Sequence, residues 1–145
     1  MLNLSRYKII AIGRIKKKWI QEGIEMYLKR LPGLEVKEIK DSTQSKEEHT
    51  IKEIISKNEI LVTLNENGQS FTSKQLATKL LSSYNQNIIF VIGGATGLPP
   101  SLNNSASWHL SLSPLTFPHE IARLLLIEQL YRAKTIVQGG PYHKE

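Results

Sequence analysis

The chain alternates between two hydrophobic periods. YKIIAIG, residues 7–13, is a short apolar run ending in glycine and reads as a buried strand. Residues 18–30 carry Trp19, Ile20, Ile24, Tyr27 and Leu28 at helical spacing, and Pro32-Gly33 stops that helix. LEVKEI, residues 34–39, alternates and reads as a strand. Residues 45–57 form a polar helix with Ile51, Ile54 and Ile55 on one face. EILVTL, residues 59–64, is a buried strand, and Asn67-Gly68 marks a turn. Thr72-Ser73-Lys74-Gln75 has the form of a capping box, opening a helix to about Ser83. NIIFVIG, residues 87–93, is the strongest strand pattern in the chain. GGATGLPP follows, with a helical turn near 99–105, and WHLSLS, residues 108–113, is a last short strand. Pro118 then stands in the first turn of a long helix through about Lys134.

Strand and helix alternate some five times. That pattern predicts an α/β domain with a mostly parallel sheet and helices on both faces. At 145 residues the chain reads as one domain, 1–145, without repeat or linker. The long final helix carries a surplus. Ile121, Ala122, Leu124, Leu125, Leu126, Ile127, Leu130, Tyr131 and Ala133 cover more than one stripe, whereas a helix packed on one sheet needs a face of about 100°. A second copy of the chain is the simplest cover, which predicts a homodimer. The alternative is a helix wedged deep in a monomer.

Composition narrows the chemistry. The chain contains no cysteine, which excludes a thiolate nucleophile, a cysteine-ligated zinc and a disulfide framework. No stretch approaches the roughly 20 apolar residues of a membrane span, and charge follows the first apolar run closely, so a cytoplasmic location is expected. The formal net charge is +6, and residues 1–57 hold 13 of the 19 Lys and Arg against 8 of the 13 Asp and Glu. Arg14, Lys16, Lys17 and Lys18 form the densest cluster, directly before Trp19. Such a cluster suits a phosphate backbone and a stackable base; its plainer reading is a solvated loop at a helix start.

Three segments are candidates for chemistry. GGATGLPP follows the best strand, where glycines let the backbone approach a ligand. Its position after the fourth strand and its GGxxG spacing disfavour a dinucleotide fingerprint, and no Gly-Lys-Ser or Gly-Lys-Thr marks a phosphate loop. SLSPLTFPHE, residues 111–120, joins hydroxyls, prolines and His119 at a strand-to-helix crossing. His119 is a hydrogen-bonding candidate there, or a capping or packing histidine. The terminal PYHKE places Tyr142, His143 and Lys144 after a double glycine. No His and carboxylate cluster has metal-ligand spacing, so no metal is expected, and no GxSxG elbow occurs. Group transfer from a bound cofactor fits better than hydrolysis.

IGGATGLPP, then W-x-LSLSPLTFPHEIARLLLIEQLYRA, then PYHKE closely resemble the RlmH family of SPOUT-class methyltransferases. The resemblance runs the length of the chain and is most specific from Ile88 onward. It implies a deep trefoil knot near the C-terminus with S-adenosylmethionine bound in it. It implies cofactor contacts from Leu64, from Gly93, Gly94 and Gly97, and from Leu112, Ser113, Pro114, Leu115, Thr116 and Phe117. It implies methylation of N3 of a pseudouridine in 23S ribosomal RNA on the assembled ribosome. It also implies a homodimer built on the final helix, with the tail of one copy reaching the cofactor of the other. His119 and Tyr142 are then expected to position the acceptor base, and His143 and Lys144 to handle the proton and the developing charge. The basic cluster Arg14 to Lys18 supplies a backbone contact to RNA. Two departures stand out: Gly139-Gly140 replaces larger polar residues of many members and predicts a floppier tail, and Lys144 stands where arginine is common. The rivals are a methyltransferase of another RNA such as tRNA, a non-catalytic RNA-binding module, and a flavodoxin-like nucleotide binder.

Overall fold

In the computed structural model, residues 1–144 are described. After a single 3-10 turn at Leu4–Arg6, the order is β1 Tyr7–Ile12, α1 Lys18–Leu28, β2 Glu35–Ile39, α2 Gln44–Ile54, β3 Glu59–Ser70, α3 Ser73–Ser82, β4 Asn87–Ile92, α4 Pro100–Asn104, β5 Trp108–Ser111 and α5 His119–Gln138. The five strands form one sheet in the order β2-β1-β4-β3-β5. Every pairing is parallel, with Ile9 beside Phe90 and Val62 beside Phe90 in the centre. The elements follow the predicted alternation. Ends differ by a few residues, the largest shifts being β3, which runs past Leu64 to Ser70, and α5, which runs past Lys134 to Gln138. Pro118 caps that helix from just outside it.

The central strands are buried on both faces, which is why they read as continuous apolar runs. On one face Tyr7, Ile9, Phe90 and Ile92 pack with Ile20 and Ile24 of α1, Leu76 and Leu80 of α3, and Leu126, Ile127 and Leu130 of α5. On the other, Ile10, Ile12, Ile89 and Val91 pack with Ile51 of α2 and Leu102 of α4. Each fully buried Leu or Ile contributes on the order of 1.5–3 kcal/mol. Helix α5 lies against both α1 and α3. Among the described residues, no helix is long and apolar enough to cross a membrane.

Local chemistry fixes the helix ends. Thr72 and Gln75 form the predicted capping box, with bonds of 3.1 and 2.9 Å. Gly139 takes a left-handed conformation, φ 74°. Its N–H donates to Ile136 O at 3.1 Å, and Gly140 N–H donates to Thr135 O at 2.8 Å. That paired closure ends the helix and turns the chain back. The double glycine therefore acts as a helix stop that leads the chain into the tail.

Candidate active site

The carboxyl ends of β3 and β4, the segment after β5 and the start of α5 enclose a cavity of about 830 Å³. Its walls mix apolar side chains, including Leu64, Ile92, Leu98, Leu110, Leu112 and Phe117, with Asn65, Glu66, Asn103, Ser113 and Thr116. A mainly apolar pocket with few polar groups is the usual form of a small-molecule site. Its floor depends on glycine. Gly94 and Gly97 form an isolated bridge. A Cβ added at Gly93 would lie 2.7 Å from the Gly97 carbonyl carbon, so no side chain fits. Gly97, at φ 82°, turns the chain back over that contact.

Strand β3 supplies a wall that the periodicity did not predict. Leu64 and Gln69 both pair with Leu110, so residues 65–68 make an excursion out of the sheet. The expected turn at Asn67-Gly68 lies inside this excursion rather than ending the strand. The excursion is tied to the 111–118 segment. Ser111 Oγ donates to the Glu66 carbonyl at 3.1 Å, and the Thr116 hydroxyl donates to the Glu66 carboxylate. Leu115 N–H donates to Ser113 Oγ at 3.0 Å, tightening the turn at Pro114. Beneath it, buried Thr63 bonds Asn103 Oδ1 at 2.9 Å and sits 2.6 Å from His109 Nδ1.

Helix α5 opens beside the cavity with three polar residues in its first two turns. His119 lines this cavity and a second one of about 600 Å³ beside it. Glu120 Oε1 accepts from the backbone N–H of Lys16 at 2.9 Å and of Lys17 at 3.1 Å. Those two bonds, the one from Lys17 foremost, hold its carboxyl below the ordinary range. Arg123 is buried, donating to Gly13 O at 2.8 Å and to Glu38 Oε2 at 2.7 Å. Glu120 and Arg123 thus hold both ends of the basic loop on one helical face. The loop itself is solvent-exposed: Arg14, Lys16, Lys17 and Lys18 are exposed, Lys18 pairs with Glu22, and Trp19 is 60% exposed.

The tail lies elsewhere. Tyr142 donates its hydroxyl to Glu128 Oε1 at 3.0 Å, 3.1 Å from the Tyr27 hydroxyl. Arg132 donates to the same carboxylate at 2.6 and 2.9 Å, lies over the Tyr142 ring and approaches His143 Nδ1 at 3.1 Å. Burial first, then the bonds to Tyr27 and Glu128, push the Tyr142 phenol well above its ordinary value. The bond to Glu128 raises Arg132. Lys144 is exposed, and Glu145 of the PYHKE motif lies outside the described residues.

The structure therefore brings Leu64, Gly93, Gly94, Gly97, Leu112, Ser113, Leu115, Thr116, Phe117 and His119 to one cavity. Pro114 departs from that set: it is exposed at the tip of the turn, off the lining, because the Ser113 bond turns it outward. Tyr142, His143 and Lys144 are not on this cavity within one chain. Glu66, Asn103, Glu120 and Arg123 were missed. A charged pair at i, i+3 in the otherwise apolar EIARLLLI run was the one available signal for Glu120 and Arg123.

The family model for predicted SPOUT methyltransferases matches residues 5–143. A relative in Prochlorococcus marinus strain NATL1A, named ribosomal RNA large subunit methyltransferase H, is 90% identical over 145 residues, the whole of both chains. A relative of the same name in strain MIT 9211 is 56% identical over 99% of each. Among solved structures, a probable methylase family protein from Haemophilus influenzae aligns with TM-score 0.65 at 14% identity, over 98% of this chain and 72% of that one. The SpoU methyltransferase AviRb from Streptomyces viridochromogenes, solved with AdoMet, aligns with TM-score 0.50 at 10% identity, over 92% and 58%. Those two likenesses concern the fold.

Proposed function

The chain belongs to the SPOUT methyltransferase family, and from that premise we propose that it methylates N3 of a pseudouridine in large-subunit ribosomal RNA, on assembled ribosomes and as a homodimer. At the coarser level it is a ribosomal RNA methyltransferase that uses S-adenosylmethionine. The 830 Å³ cavity carries the reading. Its glycine floor leaves backbone bare, its Leu and Phe walls suit an adenine and an aliphatic chain, and Glu66, Asn65 and Ser113 offer acceptors to an amine or hydroxyl. The residues present fit the cofactor. Bound there, it supplies a sulfonium methyl, an electrophile that needs no activation.

The acceptor does need activation, because an imide nitrogen is a poor nucleophile until its proton leaves. His119, on the rim, positions the ring. Tyr142, His143 and Lys144 complete the site from a second copy, Tyr142 helping to position the base and His143 with Lys144 handling the proton and the developing negative charge. The length of α5 supports this. Glu128 and Arg132, which hold the tail, follow His119 by 9 and 13 residues, roughly 14–20 Å at 1.5 Å per residue. The tail therefore serves a neighbour's cavity. Half-buried Ile121, Leu124 and Leu125 leave apolar surface on α5 for that neighbour. The trefoil knot belongs to the same proposal. Its support is the path from β5 at the sheet edge, past the 65–68 excursion, back to α5 between α1 and α3.

The test is tritium transfer from labelled S-adenosylmethionine to unmethylated bacterial ribosomes, with the full chain beside one ending at Gly140. The full chain should label large-subunit RNA, and the truncation should lose about two orders of magnitude or more, the usual scale for acid–base groups. Equal labelling by both sinks the tail's role. No labelling by either, with cofactor bound, sinks the ribosomal target and favours another RNA.

A further inference from the structure

The second cavity, of about 600 Å³, lies over the carboxyl ends of β1 and β2 and shares Ala95 and His119 with the first. Three cations line it, Arg14, Lys16 and Lys40. Two acids line it as well. Glu38 is bound by Arg123, which leaves Asp41 as the one other negative charge in the lining against three cations. Among the described residues no carboxylate lies within ion-pair distance of the three cations. The cavity is therefore positive, of small-molecule size, and one residue away from the cofactor cavity.

We propose that this second cavity is the acceptor-nucleotide site, with Arg14, Lys16 and Lys40 holding the phosphates and the base passing between Ala95 and His119 toward the first cavity. The inference rests on the methyl-transfer reading above and gives it a place for the second substrate. Transfer needs donor and acceptor atoms within about 3–3.5 Å, which two cavities with a common wall allow and two separate ones do not. Nucleotide phosphates need cations that are not already neutralised. They also need cations held in place. The loop carrying Arg14 and Lys16 is pinned at Gly13 by Arg123 and at Lys16 and Lys17 by Glu120. The helix that presents His119 to the base thus also fixes the loop that meets the phosphate.

The experiment is an amide NMR titration of the full chain, with S-adenosylmethionine bound, using uridine 5′-monophosphate and, separately, uridine. With the monophosphate, shifts should appear at Arg14, Lys16, Lys40, Asp41 and Ala95, and Lys40→Glu should weaken binding at least about fivefold. Lys57→Glu, the same charge change at the amino end of the sheet, should leave it unchanged. Uridine should bind several-fold more weakly than its monophosphate. Three results overturn the assignment: no shifts up to roughly 20 mM, shifts confined to the first cavity, or equal effects of the two reversals. No turnover is needed, so nucleotide binding here without any methyl transfer to ribosomes would remove the ribosomal target and keep the pocket. In the turnover assay, Lys40→Gln should lower the salt slope of the ribosome KM by about 0.7, one phosphate contact on a single strand, with cofactor Kd unchanged.

Discussion

At its N-terminal end, α5 presents His119 to two cavities, and the ring has no hydrogen-bond partner among the described residues. At its C-terminal end, Glu128 and Arg132 are closed over by Tyr27, Tyr131, Tyr142 and His143 in a continuous network of bonds and ring contacts. Both ends are polar, yet one is open and the other satisfied. An open polar end costs stability unless water or a ligand completes it. A satisfied one holds its members in fixed geometry. The first end is therefore the one with polar groups left for a ligand to complete, and the second holds the tail in fixed geometry away from its own chain's cavity.

The largest effects should come from breaking the open end at its floor. Gly93→Ala places a Cβ 2.7 Å from backbone carbon, and moving that backbone costs about 2 kcal/mol, roughly thirtyfold in cofactor Kd. Gly97→Ala meets nothing within 4 Å but must hold φ 82°, a strain of about 1 kcal/mol and roughly fivefold. Calorimetry on both separates crowding from strain. Equal losses would mean that the floor is not set by the Gly93 contact. Tyr142 should stay hydrogen-bonded in either variant.

Next is the buried tie between the ends of β1 and α5. Arg123→Met strands the Gly13 carbonyl and frees Glu38, which is 44% exposed and rehydrates. The expected loss is about 2 kcal/mol, less than for a fully buried pair. Urea unfolding measures it, and Arg123→Lys should recover part. A loss below a few tenths would show that the guanidinium carries no weight.

How much of this was readable beforehand depends on the range of the interaction. The alternation of YKIIAIG, EILVTL and NIIFVIG places the sheet because burial on both faces is written in consecutive residues. The capping box at Thr72 and Gln75 is equally local. The clamp on the basic loop is different: Glu120 and Lys16 are 104 residues apart, and nothing in either neighbourhood names the other. The excursion of β3 at residues 65–68 was read as a turn because its partner, Leu110, lies far along the chain. The tail's presentation needed Glu128 and Arg132, which look like an ordinary i, i+4 surface pair until Tyr142 closes over them.

At the satisfied end, Tyr142→Phe removes one hydroxyl and should loosen the tail by about 1 kcal/mol. The raised phenol gives a pH signature. Its folded value lies above the ordinary 10.0, so the docking is fully present below that and fades as pH climbs through the folded value. Tail amide exchange or proteolysis should show release in wild type only in that alkaline window. Tyr142→Phe should show no such window. A wild-type tail that loosens first below pH 8 would place the controlling group elsewhere.

The smallest effect returns to the open end. Glu120→Gln keeps the shape of the acceptor and removes its charge. Charge-assisted bonds to backbone N–H are about twice as strong as neutral ones, so the basic loop should loosen without unfolding. The ribosome KM should rise about two- to threefold, with kcat and cofactor Kd unchanged, because only the loop's placement is altered. The sign of the pH dependence is opposite to that of Tyr142. The folded carboxyl is held below its ordinary 4.5, so its hold on the loop is complete above that value and fades as pH falls through the folded one. Exchange of the Lys16 and Lys17 amides should therefore accelerate in wild type at acid pH relative to intrinsic rates, while Glu120→Gln stays flat and already loose. Matching protection in the two proteins at neutral pH would mean that Arg123 alone holds the loop. The open end would then owe its order to one tie rather than two.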